Sequence, residues 1–145
     1  MTTRYRVGQW LLALAVAATP AFQLSVDWYF MGRYHVFSDQ WPPHAKYHLI
    51  VYHGTLLLFS IAAVYVCLGR WGRSQWAASA TLLAAAGFWL PYYLAAVFPF
   101  ASPYAASTEP IPGQLVIGAA LVGVACVGRL LTWPPRPRGG DAKSL

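Results

Sequence analysis

Four long apolar runs, each near the length needed to cross a bilayer, leave this chain few ways to fold. They cover 8–30, 47–68, 76–98 and 114–132, and a helical span needs about 20 residues. None shows the period-two alternation of a barrel strand, and lipid admits only helices or closed barrels, because every backbone polar group there must be bonded internally. Of the 145 residues, 58% are hydrophobic and 10% charged, against about a quarter charged in soluble domains. The expected fold is therefore all-α, an integral membrane four-helix bundle formed by residues 1–135. The Pro-, Gly- and charge-rich segment 136–145 is expected to be a disordered tail.

Orientation follows from Lys and Arg, which concentrate in short cytoplasmic loops. Arg4, Arg6, Arg70, Arg73, Arg129, Arg136, Arg138 and Lys143 fall on the side of the termini; Arg33 and Lys46 fall on the other. Eight against two predicts both termini inside, in a bacterial-type inner membrane, with loops 31–46 and 99–113 outside. The same clustering explains the net charge of +6 without a nucleic-acid partner. The first run shares a basic start and the stretch Ala18-Thr19-Pro20-Ala21 with cleavable signal peptides; we expect a retained span. Cys67 and Cys126 lie inside apolar runs and read as small hydrophobes, not as a disulfide or metal pair.

The polar chemistry gathers at the predicted outer end. All four histidines, His35, His44, His48 and His53, lie near the start of the second run. Pro42-Pro43 suits a helix start, where a missing N–H costs nothing. His44 and His48 are then one turn apart on one face and suit a shared metal ion or an axial haem ligand. His53 lies about 140° round the helix from His48 and points elsewhere. His35 reads as an interfacial cap. Asp27 and, one turn earlier, Gln23 are expected to face the interior, with Arg33, Lys46 or a histidine offsetting the carboxylate. In the third run Pro91 interrupts the hydrogen-bond ladder, and Tyr92 and Tyr93 follow it about 100° apart, so that one faces inward.

The segment Trp41-Pro-Pro-His-Ala-Lys-Tyr-His resembles the signature of a family of small four-helix membrane proteins. The layout also resembles styrene oxide isomerase, in the Trp and His opening the second run and in Tyr92-Tyr93-Leu94 leading to Phe98 and Ser102-Pro103. That resemblance implies haem b ligated by His48, or by His44 in another register, with Lys46 and Arg33 near the cofactor and a homo-oligomer, a trimer. It places Tyr93 at the active site. Tyr92, Asp27 and His53, polar groups at the same end, are further catalytic candidates, and the outer-end aromatics Trp41, Phe88, Trp89 and Tyr93 suit a developing cation through their ring faces. Where that family has an asparagine after the ligand, this chain has His53-Gly54. Sterol isomerase and the sigma receptor share a Pro then an Asp in the first helix, as Pro20 and Asp27 do, but the acidic residue of their second helix has no counterpart within 47–68.

The expected function is thus a membrane-embedded, haem-dependent isomerase converting a lipophilic epoxide or similar molecule by Lewis-acid activation of its oxygen. The alternatives are a metal-free double-bond isomerase, a lipid-binding protein, a non-catalytic haem or metal carrier, and an accessory subunit of a larger membrane complex.

Overall fold

A computed structural model describes residues 2–95, 97–98 and 113–134. It contains four helices and, among the described residues, no strand: α1 Thr3–Leu24, running into a π-helical turn at Ser25–Phe30, then α2 Pro43–Leu68, α3 Gln75–Ala95 and α4 Gly113–Thr132. All four are long and apolar enough to cross a membrane. Segments 99–112 and 135–145, which hold most of the connection between α3 and α4 and the tail, lie outside the described residues.

Local chemistry sets the helix ends. Thr2 caps α1 by accepting the Tyr5 N–H at 3.3 Å, and Ser74 caps α3 by accepting the Ala77 N–H at 3.1 Å, each satisfying a first-turn donor. Pro42 stands at the cap of α2 with Pro43 at its first position. The helix therefore begins four residues before the apolar run does, because its first turn is the polar segment Pro43–Lys46. Near the end of α1, Pro20 lacks an N–H and the Ser25 hydroxyl donates back to the Ala21 carbonyl at 2.7 Å. The ladder then widens, with Met31 N bonded to Val26 O at 2.7 Å, five residues back. Such π-turns are uncommon and are found at functional sites.

Helix α1 is central and packs on each of the other three, whereas α2 and α4 do not touch among the described residues. The α1/α4 contact is glycine-mediated: a Cβ on Gly8 would stand 2.6 Å from the Gly128 carbonyl oxygen, and one on Gly128 would stand 2.8 Å from that of Gly8. Small residues that let backbones meet are the usual means of packing helices in lipid, where apolar burial drives little association. Around this seam lie Leu12, Ala15, Val16, Cys67, Ala78, Ala85 and Ala125. The two cysteines are unpaired, Cys67 buried and Cys126 exposed. Outward faces carry large apolar side chains such as Leu58, Phe59, Ile61, Leu83 and Leu130, a surface suited to lipid.

Polar ties fasten the end where α1 begins and α4 ends, here the terminal end. Gln9 Nε2 donates to the carbonyls of Cys67 and Gly72, both at 2.8 Å, and Tyr5 donates to Gly72 at 2.9 Å. Together they lock the α2–α3 turn onto α1. The opposite end, where α1 finishes and α2 starts, holds the candidate site.

Candidate functional site

Asp27 sits in the π-helical turn and is buried. One carboxylate oxygen bonds His35 Nδ1 at 2.6 Å and the other bonds His53 Nε2 at 2.9 Å. His53 is only 4% exposed. Its second nitrogen, Nδ1, accepts the Trp28 indole N–H at 3.2 Å. An indole can only donate, so Nδ1 carries no proton and Nε2 must donate to Asp27. The imidazole is thereby pinned by both nitrogens, with its tautomer and orientation set by a carboxylate on one side and an indole on the other. Because 27 and 28 are adjacent in the widened turn, one segment supplies both partners.

His35 lies in the segment after the turn, half-buried, with its ring stacked on Trp41 at 5.4 Å between centroids. It is a partner of the carboxylate rather than an interfacial cap. A carboxylate buried in an apolar setting is costly unless bonded, and here two imidazoles do the bonding. Arg33, one of the expected partners, instead lies over the Tyr34 ring at 4.7 Å, and Lys46 forms no ion pair among the described residues.

Beside this cluster, the Tyr52 and Tyr92 hydroxyls are 2.8 Å apart, and the Tyr52 ring is 5.3 Å from that of His53. Two phenols joined by one hydrogen bond use one O–H as donor and leave the other uncommitted. Phe88 and Trp89 pack next to them; Trp89 is fully buried and donates to Thr19 at 3.1 Å. Its ring fits because Gly118 faces it, where a Cβ would stand 2.6 Å from the indole. Gln23 is buried and its Nε2 has no hydrogen-bond partner.

Tyr52 and Phe88 also roof a cleft of about 420 Å³ between α2 and α3, walled by Thr19, Leu56, Phe59 and Leu83 among others. Phe59 and Leu83 are exposed, so the cleft opens sideways, toward the surface that lipid would cover. Its size and apolar lining match small-molecule sites, which are usually about 300–1,000 Å³.

The residues singled out in the sequence separate into two groups. Asp27, His53 and Tyr92 come together with Gln23, Phe88 and Trp89. His44 and His48 do not join them: both are exposed on the outer face of α2, with their Nε2 atoms 2.9 Å apart. Tyr93 is directed away from the cluster and donates to the Leu115 carbonyl of α4. The sequence reading did not single out Trp28 or Tyr52. Trp28 carries no local signal, because the π-turn that rotates it has no sequence signature; Tyr52 adjoins His53 and was legible as its neighbour. No group of three or more metal-ligating side chains occurs among the described residues.

Comparison with protein-family models, curated proteins and solved structures returns no match.

Proposed function

We propose that this is a membrane-embedded enzyme that isomerises a lipophilic small molecule bearing one oxygen function, such as an epoxide, by proton transfer. The observation that carries the reading is Tyr52, which lines an apolar, laterally open cleft, shares a hydrogen bond with Tyr92 and packs its ring beside His53, the partner of Asp27. The hydrocarbon body would occupy the cleft. The uncommitted phenol O–H would donate to the substrate oxygen, weakening its bond to carbon as positive charge develops there. Phe88, on the cleft wall, offers a ring face to that charge, worth about 0.5–2 kcal/mol. The Asp27 carboxylate, held by His53 and His35, would take up the proton lost from carbon and deliver it to the neighbouring carbon, while the substrate oxygen returns its proton to the phenol.

By the positive-inside asymmetry we place both termini in the cytoplasm of a bacterial-type inner membrane, so that the cluster lies at the outer end. The test is to incubate protein in mild detergent with aryl and terpenoid epoxides and follow carbonyl product. Tyr52→Phe should cost about tenfold or more in rate, the loss of one hydrogen bond in a dry site. Turnover unchanged in both Tyr52→Phe and Tyr92→Phe would end this assignment.

A second reading is favoured by the exposed His44–His48 pair. Haem b needs an axial imidazole and an apolar slot. His48, or His44, presents the imidazole, but the surrounding Tyr47, Ile50 and Val51 are all exposed, so one chain offers a single wall. The residues fit a haem held between copies, in keeping with the trimer that the resemblance to styrene oxide isomerase implies. Ferric iron there would supply Lewis-acid activation of an oxygen, with Arg33 and Lys46 at the same end to meet the propionates. A Soret band weakened by His48→Ala far more than by His35→Ala would support it; a colourless preparation from haem-replete cells would remove it.

A further inference from the structure

The terminal end holds a second cavity, of about 540 Å³, far from the histidines and independent of the isomerase reading. Its walls come from the first turns of two helices and the last turn of a third: Thr2, Arg4 and Tyr5 of α1, Arg73 and Gln75 at the start of α3, and Trp133 just past α4. The first turns of α1 and α3 contain no acidic residue. The two carboxylates among the described residues, Asp27 and Asp39, belong to the opposite end. Two of the last carbonyls of α4 are already occupied: Leu130 O accepts from Arg4 Nη2 at 3.0 Å, and Thr132 O accepts from Gln75 Nε2 at 2.6 Å. The positive ends of two helix dipoles and two guanidiniums thus meet one negative helix end, that of α4, two of whose carbonyls are already bonded, and no carboxylate among the described residues. Arg4 spends one N–H on Leu130 and keeps others; Arg73 makes no hydrogen bond or ion pair among the described residues.

We propose that this cavity binds a phosphate group, gripped by Arg4 and Arg73, with the Tyr5 and Trp133 rings flanking the ester. Guanidinium forks match phosphate oxygens in geometry as well as charge. A phospholipid headgroup and a soluble phosphate ester share this chemistry. The apolar surface of Leu131 and Trp133 on the same wall continues naturally into an acyl chain.

The test uses the full chain in non-ionic detergent, with bound lipid counted by native mass spectrometry. Dioleoyl phosphatidylglycerol should bind saturably at one molecule per chain, and dioleoylglycerol, which lacks the phosphate, should not. Arg73→Gln disturbs no bond within the fold and should weaken binding by about tenfold or more. Arg70→Gln removes the same charge three residues away, from a guanidinium lying over Trp71 at 4.6 Å outside the cavity, and should change affinity less than about twofold, as for a screened surface charge. Equal weakening by the two variants would reduce the effect to general surface charge and overturn the proposal. So would binding of dioleoylglycerol as tight as that of phosphatidylglycerol. Displacement of the lipid by inorganic phosphate at constant ionic strength, lost in Arg73→Gln, would assign the site to soluble phosphate; no displacement would assign it to the headgroup.

Discussion

Replacing Asp27 with asparagine keeps the shape of the side chain and removes its charge, which isolates what the carboxylate contributes. In the native cluster Asp27 accepts two hydrogen bonds, from His35 at 2.6 Å and His53 at 2.9 Å. Asparagine can accept only through its single oxygen, and its NH₂ cannot face His53 Nε2–H, since His53 is held in that tautomer by Trp28. The amide oxygen must therefore turn to His53 and the NH₂ to His35, which has to shift its proton to accept. One charge-assisted bond becomes a neutral one and the other reverses. Hydrogen bonds to charged groups contribute about 1.5–3 kcal/mol and neutral ones about 0.5–1.5, so Asp27→Asn should lose roughly 1.5–3 kcal/mol and lower the melting temperature by several degrees. Asp27→Ala, which leaves His53 Nε2–H buried without an acceptor, should lose more. A double-mutant cycle with His53→Phe, read by thermal unfolding in detergent, should return a coupling energy of at least about 1 kcal/mol. Nitrogen NMR should find His53 protonated on Nε2 in the native protein. Additivity within about 0.5 kcal/mol, the range for independent sites, would refute the reasoning, as would an Nδ1 proton on His53.

Other consequences are open to direct test. Gly128→Val drives a branched side chain into the Gly8 carbonyl, 2.8 Å from the new Cβ; it should separate α1 from α4 and cost about 1–3 kcal/mol as an overpacked contact, visible as a lower melting temperature, whereas Gly123→Val, which meets nothing within 4 Å, should not. Tyr93→Phe loses the bond to Leu115 and should lower stability by about 0.5–1.5 kcal/mol while leaving turnover intact, the reverse of the pattern expected for Tyr92→Phe; a large rate loss in Tyr93→Phe would restore the role implied by the resemblance to styrene oxide isomerase. A cysteine at Ser107 should react with an impermeant thiol reagent from outside intact cells and one at Ser144 should not, in a background lacking Cys126; labelling of the tail alone would invert the orientation.

How much of the site was legible depended on whether local geometry was regular. His44 and His48 are four apart on an ordinary helix, and their pairing follows directly from helical periodicity; the imidazoles indeed lie side by side. The divergence of His53 from that pair followed in the same way, whereas Asp27, expected inward with Gln23, is set by the widened turn and not by regular periodicity. The partnership of Asp27 with His35 was not legible, since His35 sits in an irregular segment whose path depends on the bond it makes. The choice between Tyr92 and Tyr93 was open for a similar reason: they point about 100° apart on a helix, and only the position of α2 decides which phenol finds Tyr52.

Hydrophobic run lengths, prolines and cap residues determine that this chain makes four helices and where they begin and end, because those signals act within a turn or two of backbone and apolar side chains need no specific partner. The order in which helices touch is another matter. That α1 is central, that Gly8 meets Gly128, and that a widened turn swings Asp27 and Trp28 together onto His53 all depend on contacts between residues far apart in the chain. Near-uniform apolar helices have no single polar face to announce which side packs inward. In such a chain the inward side is chosen by close fit of small residues and by the few polar groups that must find one another, and both are properties of the assembled structure.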